Sequence, residues 1–246
     1  MTIIRDDQRI ERMKRIGQWA SLIGLLVLLG GLFSIFFISE TASGFLLQTS
    51  ALIIGWLLAQ VGIYLTHRYV RSPRPDEVLD DALRRATKDG RLYHFVLPAP
   101  HVLLTRSGPI AFVLKYQTGR IAAEGDDWSQ KGMGFLGFRR LFGQEGIGNP
   151  SNDARKHVKA LANFISNQAP EVEEVPIGAI IVFTSKGVEE LDVDDADIPA
   201  MHYTKLRGYL RQKGLGDPIP SEDHEALRRA FDEAAGQELV KEAVKA

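Results

Sequence analysis

The sequence predicts a two-helix membrane hairpin followed by an α/β domain in which helices flank a mixed sheet. Three observations predict it. Between Ile16 and Thr66 the only charged residue is Glu40. After Gly90 the apolar spacing changes from a helical period to short β-rich runs. The run "IGAIIVFTS" is continuously apolar through Phe183, the mark of a strand covered on both faces.

Residues 1–15 read as a basic cytoplasmic N-terminus, with Arg5, Arg9, Arg12, Lys14 and Arg15 ahead of the apolar region. The hairpin covers residues 16–67, with helices over about 16–38 and 44–66. At 1.5 Å per residue each spans roughly 35 Å, slightly more than the ~30 Å hydrocarbon core. The link "SETAS" has room only for a tight turn. Gly24, Gly30, Gly31, Gly55, Ala59 and Gly62 supply small residues where backbones approach, and Gly55-x-x-x-Ala59 is a small-xxx-small pattern. Such contacts serve the hairpin itself or a homo-oligomer. Gln48 and Gln60 are expected to face the partner helix or the interface. Arg68, Arg71 and Arg74 follow the second helix and the link has no cation. The positive-inside rule therefore places both termini in the cytoplasm of an integral membrane protein, at the inner membrane in a prokaryote.

Residues 75–213 read as the cytoplasmic domain. Pro75, Asp76 and Glu77 suit a helix N-terminus and Gly90 its exit. "RLYHFVL", "HVLLTR", "IAFVLKY" and "RIAAEG" read as an antiparallel meander. A helix is expected from about Ser151 to Asn167, then the apolar strand, then a helix from about Tyr203 to Gln212. Residues 214–246 read as a peripheral helical tail.

Composition narrows the chemistry. The chain has 246 residues, with 30 basic and 31 acidic side chains and no cysteine, which excludes disulfides, thiol nucleophiles and Cys-based metal sites. The part after Ser72 is mildly acidic, which disfavours strong non-specific nucleic-acid binding. Within it, "IAFVLKYQTGRI" carries a lysine, Lys115, at the end of a buried-looking strand. Such a lysine snorkels to solvent, pairs with an acid such as Glu77, or has a chemical role.

The order of elements, with Glu77 on the early helix, "HVLLTRSGPIAFVLKYQTGRI", Trp128, the Asn149–Pro150 helix start and "VPIGAIIVF", resembles the nuclease-related (NERD) branch of the PD-(D/E)XK nuclease superfamily. The resemblance covers roughly Pro75 to Gln212 and implies a restriction-endonuclease-like fold. It also implies a site in which a strand aspartate and an acid two residues before a lysine bind a divalent metal. Lys115 and Glu77 fall on family catalytic positions. The aspartate position falls on Pro100, the second acid on Val113, and Asp153 stands where a glutamine is expected. The departures imply a catalytically degenerate domain that needs no cofactor and serves as a binding or scaffolding module for a protein partner. The alternative is a magnesium-dependent nuclease with ligands relocated to Asp80, Asp81 or Glu124.

Other motifs are weaker. "GMGFLG" matches G-x-G-x-x-G at Gly132, Gly134 and Gly137, but no strand and long helix frame it as a dinucleotide site requires. Phe135, Phe138 and Phe142 surround Arg139 and Arg140, so this loop either touches the lipid headgroups or caps the core. Lys131, Arg139, Arg140, Arg155 and Lys156 form a candidate patch for weak nucleic-acid or membrane contact, to which Phe138 would add an apolar contact. His94 and His101, on adjacent expected strands, read as structural or surface residues.

Overall fold

The computed structural model describes residues 1–37, 42–84, 90–131, 146–213 and 216–245. Among the described residues the chain divides into two compact units, an α/β unit formed by Met1–Asp6 with the described parts of 75–131 and 146–245, and a helical unit within Asp7–Arg74.

In the α/β unit a six-stranded mixed sheet runs in the order β1 (Thr2–Arg5), β2 (Arg91–His94), β3 (His101–Thr105), β4 (Gly108–Lys115), β7 (Gly178–Phe183) and β9 (Ala200–His202). The meander β2–β3–β4 is antiparallel, and β4 pairs in parallel with β7 over Ile110–Lys115 and Gly178–Phe183. A three-stranded sheet joins β6 (Asp127–Lys131), β5 (Gly119–Gly125) and β8 (Val188–Ala196).

Helices cover both faces of the larger sheet, as the sequence predicts. On one face, α3 (Pro75–Arg84) and α5 (Tyr203–Lys213) bury Leu79, Leu83, Leu206 and Leu210 against Leu92, Leu103, Phe112 and Val182. Each fully buried leucine contributes about 2 kcal/mol. On the other face, α4 (Pro150–Gln168) places Leu161 and Ile165 against Val102, Leu104 and Ala111. Alternation along β4 sends Phe112 to the α3 side and Val113 to a third cluster with Ile121, Ala154, Ile181 and Phe183.

Two expectations need correction. Residues 1–15 are not simply a basic flank. Thr2–Arg5 is a strand, parallel to β2 in the register Thr2↔Arg91 to Arg5↔His94, with Ile4 fully buried. β-branched Thr2, Ile3 and Ile4 suit a strand that packs on both faces. The tail is not peripheral. In α6 (Ser221–Ala235), Ala226, Leu227, Ala230 and Phe231 are buried on one face, and the Phe231 ring meets Tyr93 edge-on at 5.5 Å. Its few apolar residues are concentrated at helical spacing, so a low average hydrophobicity conceals a full contact stripe. Helix α7 (Gln237–Lys245) adds Leu239 and Val240 to the same cluster. In addition, "VEELDVDDA", for which the sequence offered no element, is β8.

The helical unit contains α1 (Asp7–Ser34) and α2 (Ala42–Leu65), both long and apolar enough to cross a membrane. Leu26, Phe33, Leu46 and Trp56 are among their many exposed large apolar residues. The small residues lie between the two helices. A methyl on Gly24 would meet the Ala59 nitrogen at 3.0 Å, one on Gly31 the Ala51 Cβ at 2.8 Å, and one on Gly62 the Ser21 Oγ at 2.1 Å. Gly30 has open space around it. Gln48 and Gln60 are half-buried.

Candidate functional site

Lys115 closes β4 and is 7% exposed. Its amine donates to Asp153 Oδ2 at 2.9 Å and to the Ile147 carbonyl at 3.1 Å. The lysine therefore neither snorkels to solvent nor depends on Glu77 for an acid: its carboxylate comes from the first turn of α4. That turn is fixed locally. Asn149 caps it by accepting from Asn152 N at 2.8 Å, and Pro150 occupies the first helical turn. The Asn149 amide donates to the Asp126 carbonyl at 3.0 Å, and Trp128 Nε1 donates to Ser151 Oγ at 2.8 Å. Thr184, just beyond β7, donates to the Lys115 carbonyl through its backbone nitrogen at 2.7 Å.

The remaining family positions do not assemble a metal site. Val113 is buried among apolar side chains, and Pro100 supplies only a backbone carbonyl, which accepts from Phe95 N at 2.8 Å. Glu77 is half-buried in α3, the helix that covers the opposite face from α4. The relocated ligands do not converge either. Asp81 and Glu124 are exposed on α3 and β5, while Asp80 is engaged elsewhere. Among the described residues no group of three His, Asp or Glu side chains could hold a metal ion. Divalent magnesium wants several oxygen ligands at once, so this donor set does not fit it.

The candidate contact patch is only partly visible. Lys131 and Lys156 are exposed, and Arg155 is paired with Asp126. The hydrogen bond from Arg155 is the main reason the Asp126 carboxyl lies below the usual carboxylate range, with Ser151 and Asp197 assisting. Phe135, Phe138, Arg139, Arg140 and Phe142 lie outside the described residues, as do the glycines of "GMGFLG".

A second polar cluster escaped the sequence reading. His94 and His101, directly opposed on β2 and β3, are buried with their Nδ1 atoms 2.8 Å apart. One shared proton satisfies that contact, whereas two facing N–H groups would clash. His94 Nε2 lies 2.8 Å from Asp80 Oδ1, and Arg5 of β1 binds Asp80 and sits 3.1 Å from Asp76 Oδ2. Burial alone would raise the Asp80 carboxyl, but the His94 hydrogen bond and charge, with Arg5, outweigh it and hold it low. The available signal was the acid spacing Asp76-x-x-x-Asp80, one helical turn apart on a helix that buries Leu79.

Residues 77–184 match the family model described as the nuclease-related domain. The match runs from α3 through β7 and includes Lys115 and Asp153. No curated protein and no solved structure matches the chain.

Proposed function

We propose that this chain, which carries a nuclease-related domain over residues 77–184, is a membrane-anchored member that binds a partner instead of cleaving nucleic acid. One observation carries the reading. The Lys115 amine is held by Asp153 and Ile147, and the strand position two residues before it is an apolar core residue, Val113. A metal-dependent nuclease needs that lysine beside carboxylates that hold an ion and activate water. Here the one carboxylate paired with Lys115 among the described residues, Asp153, serves to neutralise it.

Anchoring is supported by two long apolar helices flanked by cations, with extensive exposed apolar surface. The strand that precedes the helices and the helix that follows them belong to one unit, which supports both ends of the hairpin lying on one side, the cytoplasmic side by the flanking charge.

The test uses the full chain in detergent with magnesium or manganese and labelled DNA and RNA. No cleavage above the buffer control is expected. Metal-dependent cleavage that disappears in Lys115→Ala would overturn the proposal and restore the nuclease with relocated ligands.

A further inference from the structure

Three guanidinium groups from separate parts of the chain line one cavity of about 310 Å³ in the α/β unit. Its walls include Thr2 of β1, Arg91 of β2, Leu104 of β3, Arg106 of the β3–β4 turn, and His224 and Arg228 of α6. Thr2, His224 and Arg228 lie outside the nuclease-related match, so this cavity exists because β1 and α6 complete the fold around it. It sits at the Gly108 end of β4, away from Lys115. Seven steps of ~3.3 Å along its eight residues put those two ends roughly 23 Å apart.

The charges do not cancel. Asp232 pairs with Arg91 and also accepts from Tyr93 Oη at 2.8 Å. Glu225 lies 3.4 Å from Arg228. Arg106, exposed in its turn, has no carboxylate partner among the described residues. Thus, among the described residues, three guanidiniums are paired with two carboxylates, one of them already shared with a tyrosine. Around His224, burial together with the charges of Arg228, Arg106 and Arg91 pushes the imidazole down, against an opposing pull from Glu225. An arriving anion would relieve that crowding and make His224 a further donor.

We propose that this cavity binds a small phosphorylated molecule through Arg91, Arg106 and Arg228. Planar guanidinium forks match the paired oxygens of a phosphate. A single carboxylate offers only two acceptor oxygens to three guanidinium forks, whereas a diphosphate supplies enough acceptors to engage all three. The volume lies at the small end of the range for ligand pockets, which suits a diphosphate-sized group more than an extended polymer. The site is independent of whether Lys115 retains chemistry.

Inorganic pyrophosphate is the probe, titrated calorimetrically into the full chain in detergent at moderate salt. Saturable binding is expected. Arg106→Gln or Arg228→Gln should each weaken it about tenfold, while Arg120→Gln, an exposed side chain on β5 of the smaller sheet, should leave it unchanged. Both arginines are substantially solvent-accessible, so unfolding temperatures should match the parent; if one variant fails that check, the other carries the comparison. Absence of saturable binding at millimolar pyrophosphate overturns the proposal, as does binding that the folded arginine variants retain in full. Because this titration is blind to strand cleavage, its failure is distinguishable from failure of the non-cleaving reading.

Discussion

Replacing Arg5 with alanine tests whether the segment before the hairpin is structural in the α/β domain. The Arg5 side chain is 18% exposed, and its partners Asp76 and Asp80 are 1% and 9% exposed. The Arg5 Nε has no hydrogen-bond partner, so its contact with Asp76 is ionic, while the other arm bonds Asp80. Breaking a buried pair leaves uncompensated charge and costs 3–5 kcal/mol; because Arg5 itself is partly open, about 3 kcal/mol is the fitting figure. For a domain of this size, 1 kcal/mol moves the unfolding midpoint by about 2–4 °C, so Arg5→Ala should lower it by about 6–12 °C at pH 7. Near-ultraviolet circular dichroism of the full chain in detergent reads the transition. Acid dependence supplies a second readout. A carboxyl held low in the folded state stabilises above its unfolded value of about 3.9, and that stability is lost as pH falls through the folded value. Removing Arg5 removes one of the influences holding Asp80 low, so acid unfolding should begin at a higher pH. Adding Asp76→Asn to Arg5→Ala should recover part of the loss. A midpoint within about 2 °C of the parent, with unchanged acid sensitivity, refutes the reasoning.

Two further predictions concern the lysine and the membrane. Asp153→Ala strands the Lys115 amine with only the Ile147 carbonyl and should cost about 1–2 kcal/mol, reduced from the fully buried case because Asp153 is 41% exposed; the double change Lys115→Met with Asp153→Leu should lose less, and denaturant unfolding that finds the single variant unchanged removes the pair from the account of the fold. Reporter fusions at the C-terminus and within residues 39–43 should report opposite sides of the membrane, and an external C-terminus would reverse the proposed orientation.

What was legible followed from how local the physical signal is. Helix α3 announced itself through Pro75, Asp76, Glu77 and an apolar face, and β7 through an uninterrupted apolar run, because each signal lies within a few residues. Lys115 was legible as an anomaly but its partner was not. Asp153 is 38 positions away, and the pairing depends on how α4 crosses back over β4. β8 was missed because its exposed face is acidic and its apolar residues Val188, Leu191 and Val193 do not keep a strict alternation. β1 was missed for a different reason. Its four residues adjoin a run of cations that already had an explanation in membrane topology, and its strand partner β2 lies beyond two membrane-length helices in sequence.

That position of β1 changes what the hairpin is. The two helices are inserted between a strand and a helix of one domain, and Arg5 joins those elements directly through Asp76 and Asp80. A fragment beginning after the second helix would therefore lose more than the two apolar helices. β2 would become an edge strand with unpaired backbone groups along Arg91–His94, and Asp76 and Asp80 would lose the Arg5 guanidinium. The Thr2 wall of the three-arginine cavity would vanish as well. Loss of activity or binding in such a fragment would report this damage, and would carry no information about Lys115. Variants of the full chain separate the two, since Lys115 and Asp153 make their contact on β4 and α4 without any residue from β1.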